Sequence, residues 1–228
     1  MSYGIEIKNS NGNVLIDEKY PNYYLDTASP NTASPGATYP PSGTVSGDLI
    51  FARPPSNQSK AVNIAKGSPS VWDNDSTPDS FQIYPGSPTS YSYYRAKKYS
   101  DLTIPSTGYG MQIYGATNEL HYTVGQSEKE IQLVAVGQWS RFYKITFPSN
   151  TGVYTDLDKY YCLMNTTNHE AFSNAFFAYD YVNAYQYEWV TATTGRIHVL
   201  SQWVDYDESS NDFNASPGLG YAIMKVVG

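Results

Sequence analysis

The sequence predicts an all-β fold of antiparallel β-sandwich units, two similar ones joined by a short linker. Apolar and polar residues alternate with period two in one run after another. These runs are short, rich in Val, Ile, Thr, Tyr and Phe, and separated by clusters of Gly, Pro, Ser and Asn, the pattern of many short strands. Charged residues make up only 15% of the 228, against about 25% in an ordinary domain, while Tyr alone contributes 23. Disordered chains are rich in charge and poor in aromatics, so this composition excludes disorder.

The first element is a hairpin. Ile5 and Ile7 alternate with Glu6 and Lys8, and Val14 and Ile16 with Leu15 and Asp17. Between the runs lies Asn9-Ser10-Asn11-Gly12-Asn13, and Asn-Gly accepts the positive φ of a tight turn. Residues 3–8 and 13–18 are therefore read as paired strands. Residues 26–48 carry Thr27-Ala28-Ser29-Pro30, Thr32-Ala33-Ser34-Pro35 and Pro40-Pro41 with no apolar period. That segment reads as a Pro/Ser/Thr-rich loop, either a surface loop or an arm lying on a neighbouring subunit.

Further strand signals fall at Leu49–Arg53, Ala61–Ala65, Phe81–Tyr84, Tyr91–Ala96, Gly110–Tyr114, Leu120–Thr123, Ile131–Val136 and Phe142–Phe147. Others follow at Tyr160–Met164, Thr191–Thr193, Ile197–Val204 and Tyr221–Val226. Ala171–Trp189 fits two templates. Phe172, Ala175, Phe176, Tyr179 and Val182 make a helical stripe, whereas Phe177, Tyr179, Tyr181, Tyr185, Tyr187 and Trp189 make a strand face. Aromatic enrichment favours the strand.

An internal repeat organises the chain. YGIEIKNSNGNVLID at 3–17 returns as YGMQIYGATNELHYT at 109–123, with Tyr, Gly and Ile identical at an offset of 106 (109 minus 3). The repeat divides the chain into an N-terminal β unit, 1–104, and a C-terminal β unit, 105–228.

Catalytic chemistry finds little support. Cys162 lies in the apolar run Tyr160–Met164 without the electropositive setting a thiolate needs, and reads as a core residue. As the single cysteine it also excludes an internal disulfide framework and a cysteine-type zinc site. His121, His169 and His198 are scattered, and no HExxH, GxSxG or Gly-rich phosphate loop occurs. Asp156 with Asp158, and Asp205, Asp207 with Glu208, are the carboxylate groupings a glycosidase would use, but both fall in turn-like sequence. Asp73-Asn74-Asp75-Ser76-Thr77-Pro78-Asp79 alternates oxygen ligands, yet lacks the glycine and distant Glu of a calcium loop and reads as an acidic turn. No catalytic, cofactor or metal site is assigned.

Net charge is −7, which argues against a nucleic-acid surface; Arg95-Ala96-Lys97-Lys98 is one short basic cluster, read as a protected strand edge. No stretch approaches the roughly 20 apolar residues of a membrane helix, and the opening residues have no signal-peptide pattern. Synthesis in the cytoplasm follows, with assembly into a larger particle as the route to any other site. Twenty-three tyrosines cannot all be buried without many hydroxyls needing partners, so some are expected at a contact surface. Trp72, Tyr91, Tyr93, Tyr94, Tyr185 and Tyr187 are the candidate contacts for a partner or ligand.

The opening Tyr3-Gly4-Ile5-Glu6-Ile7-Lys8-Asn9-Ser10-Asn11-Gly12-Asn13-Val14-Leu15-Ile16-Asp17 resembles the start of a family of small, β-rich bacteriophage proteins associated with the tail tip or tail fibres. The second copy, Tyr109–Thr123, is similar to a second such hairpin, with Asn118 where the first has Gly12. The resemblance implies a non-enzymatic structural component of the virion tail, assembled in the host cytoplasm. Other virion proteins and further copies of itself would be its partners. It carries over no site residues. Two alternatives stay open: a receptor- or carbohydrate-binding module at a fibre tip, which a host-surface glycan would engage, and a polysaccharide depolymerase.

Overall fold

The computed structural model describes residues 6–8, 14–17, 23–34, 37–55, 62–67, 80–84, 90–102, 112–115, 118, 120–123, 130–138, 144–148, 152–173, 178–205 and 220–227. Among these it is all-β, with antiparallel sheets and no α-helix. The first strands are β1 (Glu6–Lys8), β2 (Val14–Asp17), β3 (Tyr23–Leu25), β4 (Asn31–Ala33), β5 (Leu49–Arg53), β6 (Val62–Gly67), β7 (Ser80–Tyr84) and β8 (Tyr91–Lys98). They are followed by β9 (Gln112–Tyr114), β10 (Leu120–Thr123), β11 (Glu130–Gln138), β12 (Lys144–Phe147) and β13 (Tyr160–Leu163). The last are β14 (Asn168–Ser173), β15 (Ala178–Trp189), β16 (Gly195–Asp205) and β17 (Gly220–Val227).

The aromatic stretch near 171–189 is strand, as its composition favours: β14 and β15 pair along Asn168–Ser173 and Asn183–Ala178. Thr191–Thr193, by contrast, is not a strand. It forms the turn between β15 and β16, where the Val190 N–H donates to the Thr194 carbonyl at 2.8 Å and the Thr191 and Thr194 hydroxyls lie 2.7 Å apart. Threonine has strand propensity, but here its hydroxyl supplies local turn bonds instead.

Two large sheets carry the fold. One has the order β11-β17-β13-β5-β8-β3, with β4 also on β8, and the other β12-β16-β15-β14-β6-β7, with β6 also on β15. Both take strands from each side of residue 104, so the two stretches expected as separate units share the same sheets. The first sheet curls until its edge strands β3 and β11 come together. The six strands β11, β17, β13, β5, β8 and β3 all contribute to one cluster, through Ile131, Met224, Tyr161, Phe51, Tyr94 and Leu25, which makes this the concave face. Alternate residues of the same strands point the other way. Ile50, Ala52, Tyr91, Cys162 and Ile223 pack there against Ile64, Tyr185, Tyr187, Ile197 and Val199 of the second sheet. Burial on both faces explains why β5 and β13 read as continuous apolar runs rather than alternating ones.

The pairing of the curled sheet repeats about its centre. There Ala52 faces Cys162 in the β5·β13 pair. On the outer side of β5, Ile50, Phe51 and Ala52 face Arg95, Tyr94 and Tyr93 of β8. On the outer side of β13, Tyr160, Tyr161 and Cys162 face Lys225, Met224 and Ile223 of β17. Beyond them Leu25 faces Ala96 and Thr32 faces Ser92, while Ile131 faces Val226 and Val136 faces Ala222. The pattern is two-fold, with its axis between Ala52 and Cys162.

The hairpins repeat just as closely. Glu6, Ile7 and Lys8 pair with Asp17, Ile16 and Val14, and Gln112, Ile113 and Tyr114 with Thr123, Tyr122 and Leu120, each with one bulged residue before the last pair. Asn118, in the place of Gly12, has φ 65°, the left-handed conformation that Gly and Asn adopt most readily.

The segment 26–48 is not a free arm where it is described. β4 lies within it, Tyr39 is buried in the shared core, and the Arg95 guanidinium donates to the Ser42 carbonyl. The Thr44 hydroxyl donates to the Pro41 carbonyl and the Asp48 carboxylate accepts from the Val45 N–H, closing a compact turn that replaces sheet pairing.

Ala52 is fully buried at the two-fold centre, so Ala52→Leu overfills a closed space. We expect a loss of about 1–3 kcal/mol in a urea titration, and an unchanged midpoint would show that this centre is loosely packed.

Candidate interaction surface

The tyrosines expected at a contact surface lie mostly inside the chain. Tyr91, Tyr185 and Tyr187 are fully buried and Tyr94 nearly so; they are core residues here, with no ring surface left for a partner. Tyr93 is half-buried and packs against the same core. Trp72 lies outside the described residues. For Tyr91, Tyr94, Tyr185 and Tyr187 the expectation of surface contact fails because both faces of the central strands are covered, and the Tyr185 and Tyr187 hydroxyls find partners inside.

The Tyr187 hydroxyl donates to the Tyr160 carbonyl at 2.9 Å. Its single proton is thereby committed, so the Cys162 thiol, 3.2 Å away, is the donor to the Tyr187 oxygen. The Tyr185 hydroxyl accepts from the Ala222 N–H at 3.2 Å, and the Thr166 hydroxyl donates to the Gly220 carbonyl at 2.6 Å. β13 pairs with β17 only at residues 223–225, so these side chains serve backbone groups of β17 beyond that ladder.

Electrostatics follow burial. Burial pushes Tyr94 up to about 12, with Tyr161 nearby adding to the rise and Arg53 opposing it. Burial also holds Tyr185 and Tyr187 well above the usual phenol range. The Cys162 thiol is raised by burial, partly offset by its Tyr187 bond, which suppresses the thiolate a nucleophile needs.

Two of the other candidate groups make ion pairs within the chain. Asp156 holds the Lys225 ammonium at 2.8 Å through one carboxylate oxygen. Asp26 grips Arg95 at 2.6 Å, so the first residue of the basic cluster is neutralised within the chain. The acidic turn at 73–79, Asp207 and Glu208 lie outside the described residues.

His198 is nearly buried, with Nδ1 2.8 Å from the Thr146 hydroxyl and Nε2 2.7 Å from the Glu188 carboxylate. With Nε2–H donating to Glu188, Nδ1 accepts from Thr146. This hydroxyl–imidazole–carboxylate row crosses β12, β16 and β15 on the face turned away from the shared core, and ties the three strands together. No group of three His, Cys, Asp or Glu able to hold a metal occurs among the described residues. No described helix is long and apolar enough to cross a membrane.

What the chain does expose is apolar surface on β11. Leu133 is 62% exposed, Val136 64% and Val134 39%. Leu133 and Val136 face Met224 and Ala222 of the concave-face cluster, so they extend that face outward. Between them Val134 is bulged out of register. On the opposite face Ala135 packs inward and the Tyr221 ring lies over Gly137, where an added Cβ would meet the ring unless it shifted. Among the described residues β11 pairs with β17 alone apart from its approach to β3. Val227, on the neighbouring strand opposite Glu130, is 38% exposed but alternates to the other face of the sheet. None of these was singled out in the sequence. Their signal is the unbroken apolar run Leu133–Val136, which a strand covered on one face does not carry.

No protein-family model, curated protein or solved structure matches this chain.

Tyr187→Phe leaves the Tyr160 carbonyl and the Cys162 thiol without their partner. We expect a cost of about 1–3 kcal/mol in chemical denaturation, and wild-type stability would show that the bond contributes nothing net. Tyrosines raised in the folded state stay protonated there while the unfolded chain ionises from its ordinary value of 10.0. The resulting stabilisation is present below pH 10 and is lost as pH rises toward about 12. Denaturation midpoints followed across that window should fall steadily; a flat profile would contradict the burial of these hydroxyls.

Proposed function

We propose that the protein is a non-enzymatic structural subunit of a bacteriophage particle, placed in the tail or its fibres, and that it works by packing against other virion proteins. The observation that carries this reading is the apolar surface of β11, with Leu133 and Val136 more than half exposed on a long strand. Soluble proteins rarely leave such an edge uncovered, because it templates pairing with another chain. The phage setting rests on the hairpin resemblance at Tyr3–Asp17 and Tyr109–Thr123.

The same reading takes the chain as two copies of one β unit interlocked about a local two-fold. The matched hairpins and the matched pairing around Ala52 and Cys162 support it. So does the recurrence of Thr38-Tyr39-Pro40 as Thr146-Phe147-Pro148 between corresponding strands. A doubled unit enlarges the sheet, and with it the surface offered to neighbours, without requiring a catalytic cleft.

Mass spectrometry of purified particles should detect this chain at a fixed stoichiometry to the tail proteins, and electron cryomicroscopy should show β11 against a neighbour. Absence of the chain from particles would overturn the assignment.

A further inference from the structure

We draw no further inference here: the strongest candidate, the exposed apolar face of β11 around Leu133 and Val136, carries none because nothing in the structure shows what covers it.

Discussion

The structure depends on a close approach at the middle of its curled sheet. Ala52 and Cys162 face each other across β5 and β13, both fully buried. Their small side chains leave height above the sheet, and the rings of Tyr185 and Tyr187 from the opposite sheet belong to the core built over them. Larger residues at this pair would push the sheets apart and separate the Tyr187 hydroxyl from the Tyr160 carbonyl. The pairing of the two halves, the spacing of the sheets and the satisfaction of buried hydroxyls are therefore one constraint.

Burying so many tyrosines requires that each polar tip be answered. A leucine in the place of Tyr185 would fill some of the volume but would give nothing to the Ala222 N–H. The phenol does both, and it does so where strand pairing stops short. Among the described residues the tyrosines are thus concentrated in the interior. The surface that stands out is made of aliphatic side chains on β11, a different residue class in a different part of the sheet.

Much of the fold was legible in the sequence, because hairpins are local. Ile7 and Ile16 announced the pair they form, and the second hairpin followed from the repeat at Ile113. β15 was legible from aromatic alternation. What was not legible came from contacts distant in sequence. Alternation shows that a strand has two faces but not that both will be covered, so Tyr91, Tyr94, Tyr185 and Tyr187 looked available when they are not. The segment around Tyr39 has no period to read, and a single buried ring anchors it. The β11 surface is hidden for a related reason: its run reads as a strand, but only the sheet order reveals that the strand lies at an edge.

The position of β17 also bears on how the molecule assembles. This strand comes late in the sequence, at Gly220–Val227, yet it lies between β11 and β13 rather than at a margin. Neither of those strands has its full set of backbone partners until β17 arrives, and the concave-face cluster lacks Met224 and Val226 until then. Closing such distant pairs is entropically slow, so a ribosome-bound chain lacking these residues holds half a sheet open. During that interval Leu133 and Val136 stand beside unpaired backbone, and the nascent chain is at its most vulnerable to joining the wrong partner.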